Sequence, residues 1–235
     1  MSILPLSVTG AVVRRKGETL VGPVDLEVAK GAFVIVIGPN GSGKTTLIRS
    51  LHGLQRLTEG RMQYAVPTAE ADQKQAYVSQ QPIMMRRTVL DNLAYPLVLQ
   101  GMGRTAARAK AAEAAVKVGL RAGLSVPAPQ LSGGEKQKLA LARAMMRAPE
   151  LLFLDEPCAN LDGRATAEIE ALLLAEHARG TTLMMATHNM GQARRLASDV
   201  VFMLGGRIHE RAAATDFFDG PATDEARAFL KGDIV

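Results

Sequence analysis

The sequence predicts an α/β fold: a mostly parallel sheet with helices on both faces, an N-terminal antiparallel β region, and an inserted helical subdomain. Three observations predict it. Short apolar runs recur at residues 32–37, 151–154, 183–186 (in a strand from Thr182 to Ala186) and 200–204, as strands buried on both faces require. Helix-forming stretches at residues 46–51, 164–178 and 191–197 alternate with them, the pattern of a parallel sheet built from crossover units. From Arg86 to Met146 the β-branched runs give way to Ala, Leu, Arg, Lys and Met, a helical composition with no strand inside it.

In chain order, residues 4–30 alternate apolar and polar positions, as at Leu6, Val8 and Val12 and again at Val24, Leu26 and Val28. Lys16-Gly17 and Gly22-Pro23 supply turn material, so a small antiparallel sheet is expected here. The strand at 32–37 leads into Gly38-Pro39-Asn40-Gly41-Ser42-Gly43-Lys44-Thr45, and Thr46 begins a stretch free of Gly and Pro that continues as a helix. Beyond a break at Thr58-Glu59-Gly60, strands are expected at 61–66 and 75–79, with an exposed turn over 67–74. Residues 105–120 place Ala106, Ala109, Ala112, Val116 and Leu120 at helical spacing, which makes them the expected packed face. Pro127-Ala128-Pro129-Gln130 is a stiff connector, and a helix over 134–147 ends at Ala148-Pro149. In the helix at 164–178, Ile169, Leu172, Leu173 and Ala175 are expected to face inward. The chain reads as one domain over 1–235, its core formed by 1–81 and 148–235 and its helical subdomain by 82–147.

The loop at 38–45 carries the first chemistry. It matches G-x-x-x-x-G-K-[ST] and sits between a strand and a helix, the context that gives the motif meaning. Gly38, Gly41 and Gly43 permit backbone angles that turn several N–H groups toward one anion. The helix opening near Lys44 adds unpaired N–H groups and a positive dipole end. Lys44 suits β- and γ-phosphates, and the Thr45 hydroxyl suits Mg²⁺. The loop is expected to bind a nucleoside triphosphate, in a P-loop NTPase core.

Composition limits the rest. The 235 residues suffice for one large domain or a domain with a subdomain. The net charge of +5 comes from scattered residues, so nucleic-acid binding is not signalled and no such partner is expected. One cysteine, Cys158, excludes an internal disulfide and fits a reducing compartment. Lying between Glu156 and Asn160-Leu161-Asp162, it reads as a small buried hydrophobe rather than a reactive thiol. No apolar run nears the roughly 20 residues of a membrane span, and Met1-Ser2-Ile3-Leu4-Pro5 lacks the features of a signal peptide. A cytoplasmic chain is expected, with any membrane role supplied by a partner.

Two further stretches complete the constellation. The apolar strand at 151–154 ends in Asp155-Glu156-Pro157, and in an open parallel sheet the strand's carboxyl end faces the ligand. Asp155 suits Mg²⁺ and Glu156 suits a general base for a water in line with the γ-phosphate; a helix cap is the alternative use of Asp155. Leu131-Ser132-Gly133-Gly134-Glu135 opens a helix with a second anion-binding terminus. One nucleotide has no evident need of both sites within one chain.

Phosphate loop, Leu131-Ser132-Gly133-Gly134, Leu154-Asp155-Glu156-Pro157, Asn160-Leu161-Asp162 and Thr187-His188, in that order, resemble the ATP-binding cassette ATPases across essentially the whole chain. The resemblance implies a head-to-tail pair of two copies, with each ATP and its Mg²⁺ held between one copy's loop and the other copy's signature. Ser132, Gly133 and Gly134 would then contact the γ-phosphate in trans, and Asp162 would cross the interface. His188 matches the switch histidine and Gln80 the glutamine that touches Mg²⁺ or the attacking water. His52, His177 and His209 have no such match and read as structural. Ile83-Met84-Met85 fits either core packing or the groove where a transmembrane permease subunit docks. Work at the cytoplasmic face of the plasma membrane, peripherally bound and served indirectly by a solute-binding protein, follows from the same resemblance.

Two positions depart from the family pattern. Where an aromatic residue usually stacks on adenine the chain has Arg15, whose guanidinium plane offers a substitute. Glu135 replaces the usual glutamine, and acid is favourable at a helix N-terminus. Three stretches, residues 51–54, 80–87 and 224–232, resemble cassettes of tungstate-type oxyanion importers. An exporter subunit, or a soluble cassette ATPase outside transport, is the alternative. DNA-acting relatives insert long coiled coils between loop and signature, whereas fewer than about a hundred residues lie there in this chain, without sustained heptads.

Overall fold

The computed structural model describes residues 1–120 and 123–233. Two sheets form its centre. The smaller is antiparallel, in the order β2-β1-β4, from β1 (Leu6–Arg15), β2 (Glu18–Val28) and β4 (Glu59–Gln63). The larger has the order β5-β6-β7-β3-β8-β9. Its strands β3 (Phe33–Ile37), β5 (Gln75–Val78), β6 (Leu151–Asp155), β7 (Thr182–Ala186) and β8 (Asp199–Leu204) are parallel neighbours, and β9 (Arg207–Ala213) closes the edge antiparallel.

Every residue of β3, β6 and β7 is buried, which is why, apart from Asp155 and Thr182 at strand ends, they read as apolar runs rather than alternating ones. Successive side chains of β3 serve different faces. Val34 and Val36 join Leu6, Val8, Leu47 and Ile48, on the side of the antiparallel sheet and α1 (Lys44–Leu51). Phe33, Ile35 and Ile37 join Ile169 and Leu173 of α6 (Gly163–Ala178). Burying each such side chain contributes about 1.5–3 kcal/mol, so both faces hold the strand that leads into the loop. A third cluster joins α3 (Val89–Leu99), α4 (Arg104–Lys117) and α5 (Gly133–Met145) through Leu93, Ala111 and Leu139.

Several expectations are corrected. Gly22-Pro23 is not a turn, because β2 runs through it without interruption. Gly22 has φ +112°, and a Cβ there would lie 2.2 Å from the Ala11 carbonyl oxygen. The glycine serves close approach of β2 to β1 rather than chain reversal. Residues 67–74 are not wholly an exposed turn: α2 (Thr68–Ala71) forms there behind Pro67, and Ala71 is buried.

On α4 the buried stripe is Ala107, Ala111 and Ala115, while Ala106 and Ala109 are exposed and Val116 is 52% exposed. A helix so rich in alanine offers several i, i+4 rows of equal hydrophobicity, and its packing partner chooses among them. On α6, Ile169 and Leu173 are buried as expected and Leu172 is half-buried, but Ala175 is exposed. Acidic residues take inward positions instead. Glu170 is held by Arg195 at 2.7 Å and Gln192 at 3.2 Å, and Glu176 accepts from the Thr181 hydroxyl at 3.1 Å. The edge strand β9 and the helices α7 (Met190–Leu196), α8 (Ala214–Asp219) and α9 (Asp224–Lys231) complete the chain.

Candidate functional site

The loop between β3 and α1 is shaped by contacts that only glycine allows. Gly38 has φ +147°, and a Cβ on it would lie 2.1 Å from the Met203 carbonyl oxygen of β8. Gly43 has φ +100°, and its Cβ would meet Val21 of β2 at 2.8 Å. Gly41, at φ +78°, faces open space, and Asn40 beside it is exposed. Pro39 and Thr46 are half-buried.

Inside this turn the Lys44 ammonium donates to the carbonyls of Gly38 at 2.8 Å and Pro39 at 2.9 Å. Burial lowers its pKa below the ordinary lysine value, and the negative charges of Glu156 and Asp155 oppose that shift. The Ser42 hydroxyl is buried without a hydrogen-bond partner among the described residues. A glycine cradle, a buried cation and an orphaned hydroxyl fit an anionic ligand of phosphate type.

β6 delivers Asp155 and Glu156 to the same end of the sheet, with only β7 between it and β3. Asp155 is buried, and both its carboxylate oxygens are held. Oδ1 accepts from the Thr45 hydroxyl at 2.8 Å, and Oδ2 accepts from the Tyr77 hydroxyl at 3.0 Å. The Tyr77 phenol is pushed well above its usual pKa, first by burial and then by the Asp155 charge, so it stays a proton donor. Thr45 and Asp155 together present two oxygens, and no group of three or more His, Cys, Asp or Glu side chains among the described residues could hold a metal. That small donor set fits Mg²⁺, which takes one or two protein oxygens and fills its shell with phosphate and water.

Glu156 has φ +47°, an uncommon backbone state for a glutamate that costs about 1–3 kcal/mol. Its N–H donates to the Ala186 carbonyl at 3.0 Å, fixing it against the end of β7. Its Oε2 lies 2.9 Å from Nδ1 of His188, which is 60% exposed at its side chain. The other histidines pack on aromatic rings: His52 on Tyr77 and Phe153, His177 on Phe33, and His209 on Phe202. Cys158 is half-buried, and burial pushes its thiol up to about 11.

Ser132, Gly133, Gly134 and Asp162 do not join the loop within the chain. They line a separate cleft of about 400 Å³ with Glu135, Lys138 and Asn160. Ser132 caps α5 in a capping box: its hydroxyl lies 2.7 Å and its N–H 2.9 Å from Glu135 Oε2. Those hydrogen bonds lower the Glu135 pKa. Asp162 caps α6 by accepting from Ala165 N–H at 2.7 Å. Gln80 and Arg15 are both exposed, and neither takes part in the side-chain hydrogen bonds of Asp155 and Glu156, which go to Thr45, Tyr77 and His188. A further cleft of about 630 Å³ is lined by Tyr77, Ile83, Met85, Tyr95, Leu99 and Arg143 among others, with Ile83 84% and Leu99 68% exposed.

Sequence reasoning passed over Tyr77 and gave Ser42 only a place in the loop. Both depend on contacts between elements that no local motif records.

A glycine loop around a buried lysine, facing an adjacent acid pair at the ends of parallel strands, defines a nucleotide-hydrolysing P-loop protein. The chain belongs to the ABC transporter family, whose model matches residues 21–159, and is one of its ATP-binding ATPase subunits. It is similar to the L-cystine transport system ATP-binding protein TcyN of Escherichia coli, 35% identical over 96% of this chain and 97% of the relative. It is 37% identical to the Fe(3+) ions import ATP-binding protein FbpC of Streptomyces coelicolor over 96% of this chain. The sn-glycerol-3-phosphate import ATP-binding protein UgpC of Pectobacterium atrosepticum is 35% identical over 91% of this chain. The chain spans 66% of that FbpC and 62% of that UgpC. Among solved structures, an ATP-binding subunit of an ABC transporter has TM-score 0.83 at 23% identity, covering 97% of this chain and all of the other. The ATP-binding cassette MJ0796, solved as a dimer in a post-hydrolysis state with ADP and Pi, has TM-score 0.79 at 25% identity, covering 89% of this chain and 98% of the other.

Proposed function

We propose that the chain hydrolyses ATP at two composite sites between two copies of itself and passes the resulting motion to separate permease subunits of an importer. The single observation that carries this is the separation of the two anion-binding termini. Lys44 and its loop lie in one place, Ser132-Gly133-Gly134 line a cleft elsewhere, and a head-to-tail pair would bring one copy's loop to the other's cleft. An isologous pair makes two such sites by symmetry. The dimer described for MJ0796 supports the reading.

In that site Lys44 and the loop N–H groups would hold the β- and γ-phosphates. Thr45, Asp155 and Gln80 would hold Mg²⁺, which supplies neutralising charge to the phosphate oxygens when bound. Glu156 would take the proton of a water attacking the γ-phosphorus as the bond to the β-phosphate oxygen breaks, leaving ADP and phosphate. His188 orients the Glu156 carboxylate through Nδ1 and would contact the γ-phosphate with its other nitrogen. Ser132 would reach the partner's γ-phosphate only by exchanging its present bonds to Glu135 for bonds to phosphate. Asp162 would cross the interface, and Arg15 would lie against the base.

Residues 82–147, carrying the signature, would move against a core of 1–81 and 148–235, with Gln80 at the junction. A permease helix would fit the cleft beside Met85, Ile83 and Leu99, and the exposed apolar surface of the last two calls for a partner. No helix among the described residues is long and apolar enough to cross a membrane, which suits a peripheral subunit at the cytoplasmic face of the plasma membrane. The relatives named above carry different cargoes in their names, and an ATPase subunit need not touch cargo. The stretches at 51–54, 80–87 and 224–232 support an inorganic oxyanion such as tungstate, delivered by a solute-binding protein.

Glu156→Gln tests the reading in the cell's own membrane. Turnover is expected to fall about 10²–10⁴-fold, and the trapped protein is expected to bring a permease when captured. Capture of ribosomes or DNA instead would overturn the transport reading.

A further inference from the structure

Tyr77 lies outside every role assigned above. It stands in β5 directly across from Phe153 of β6, and its hydroxyl crosses to Asp155 Oδ2 at 3.0 Å while Thr45 holds Oδ1 at 2.8 Å. Its ring packs on the His52 ring, 5.6 Å away, which packs in turn on Phe153 at 5.7 Å. The same ring forms part of the wall of the 630 Å³ cleft.

A carboxylate at the end of a strand is free to turn about a broad terminal torsion. Two donors on opposite oxygens remove that freedom. The hydrogen bonds are also unequal in consequence. Thr45 belongs to the phosphate loop and can turn its hydroxyl lone pair toward a cation, whereas the Tyr77 hydroxyl comes from a packed ring on the neighbouring strand. We propose that Tyr77 is a positioning residue that occupies Asp155 Oδ2 and so presents Oδ1, beside the Thr45 hydroxyl, as the oxygen that meets Mg²⁺. This rests on the reading of Asp155 as a Mg²⁺ oxygen. Partners of this outer kind set metal affinity by about 10–100-fold when removed.

The test titrates ATP into the full chain by calorimetry over a series of Mg²⁺ concentrations. Tyr77→Phe keeps the ring and removes the hydroxyl. It is expected to raise the Mg²⁺ concentration for half-maximal ATP binding at least about tenfold. Loss of one hydrogen bond to the buried Asp155 should lower the melting temperature without Mg²⁺ by only a few degrees, so the variant stays folded at the temperature of the titration. Asp155→Asn should raise the Mg²⁺ requirement by itself, and adding Tyr77→Phe to it should do nothing more, because the phenol acts only through that carboxylate. A shift with Asp155→Asn but none with Tyr77→Phe overturns the inference and leaves the Asp155 assignment standing. An additive shift in the double variant, or a fall in melting temperature that accounts for the weaker binding, overturns it as well. No shift with Asp155→Asn removes the Mg²⁺ assignment and this inference with it.

Discussion

Ser132→Arg is expected to abolish ATP turnover while ATP binding persists. Ser132 lies in a cleft with Glu135 and Asp162, apart from the loop around Lys44, so a guanidinium there has no route to the nucleotide held by its own chain. It would fill the place of the partner's γ-phosphate and remove donors aimed at developing charge, a loss of at least about 10²-fold. The substitution also removes the α5 cap, in which the Ser132 hydroxyl receives the Glu135 N–H; caps are worth about 1 kcal/mol. Ser132→Ala separates the two effects, since it loses the cap without adding bulk and should retain part of the turnover. Phosphate release and ATP binding measured on both variants decide the matter. Full turnover in Ser132→Arg would remove Ser132 from the site.

Gly38→Ala is expected to cost both stability and nucleotide. The added Cβ would sit 2.1 Å from the Met203 carbonyl oxygen and 2.9 Å from the Ser42 hydroxyl. The first contact is backbone and belongs to β8, so relief requires separating two paired strands. The φ of +147° adds strain of about 1–3 kcal/mol for any residue with a side chain. At about 2–4 °C per kcal/mol for a chain of this size, strain and clash together should lower the melting temperature by about 5–10 °C. ATP binding should be lost at temperatures where the variant is still folded. Gly41→Ala is the control: it too has positive φ, but nothing lies within 4 Å of its Cβ. Equal losses in the two variants would mean that the Met203 contact does not shape the loop.

The parts of this fold that the sequence makes legible are those whose burial is uniform. β3, β6 and β7 are buried at every position, and burial on both faces leaves an apolar run in the chain. β9 is the opposite case. Only Glu210 on it is buried, where it accepts from the N–H groups of Ala222 and Thr223, so no hydrophobic pattern marks the strand. Gly22-Pro23 misleads because a glycine required for strand approach has the same letter as one required for a turn. Ala106 and Ala107 are likewise indistinguishable until α4 has a neighbour.

The site divides in the same way. The loop glycines, Lys44, Asp155 and Glu156 are local in sequence and carry their chemistry in their order. His188 is more often structural when taken alone, yet it lies 2.9 Å from Glu156, 32 residues away in sequence. The Tyr77–Asp155 bond joins adjacent strands that are 78 residues apart in the chain, a pairing that no motif contains. Ser132 and its glycines open a helix in a pattern legible as an anion site, but the partner proposed for them belongs to another copy, beyond anything one chain's sequence or structure places beside them.

The composite site is tested most directly by the mass of Glu156→Gln in solution. With MgATP present and hydrolysis blocked, the variant should elute and scatter light as a dimer holding two ATP. It should return to monomer when Mg²⁺ is removed or when Ser132→Arg is added. A protein that stays monomeric at saturating MgATP, with ATP bound at every loop, would contradict a site shared between two copies.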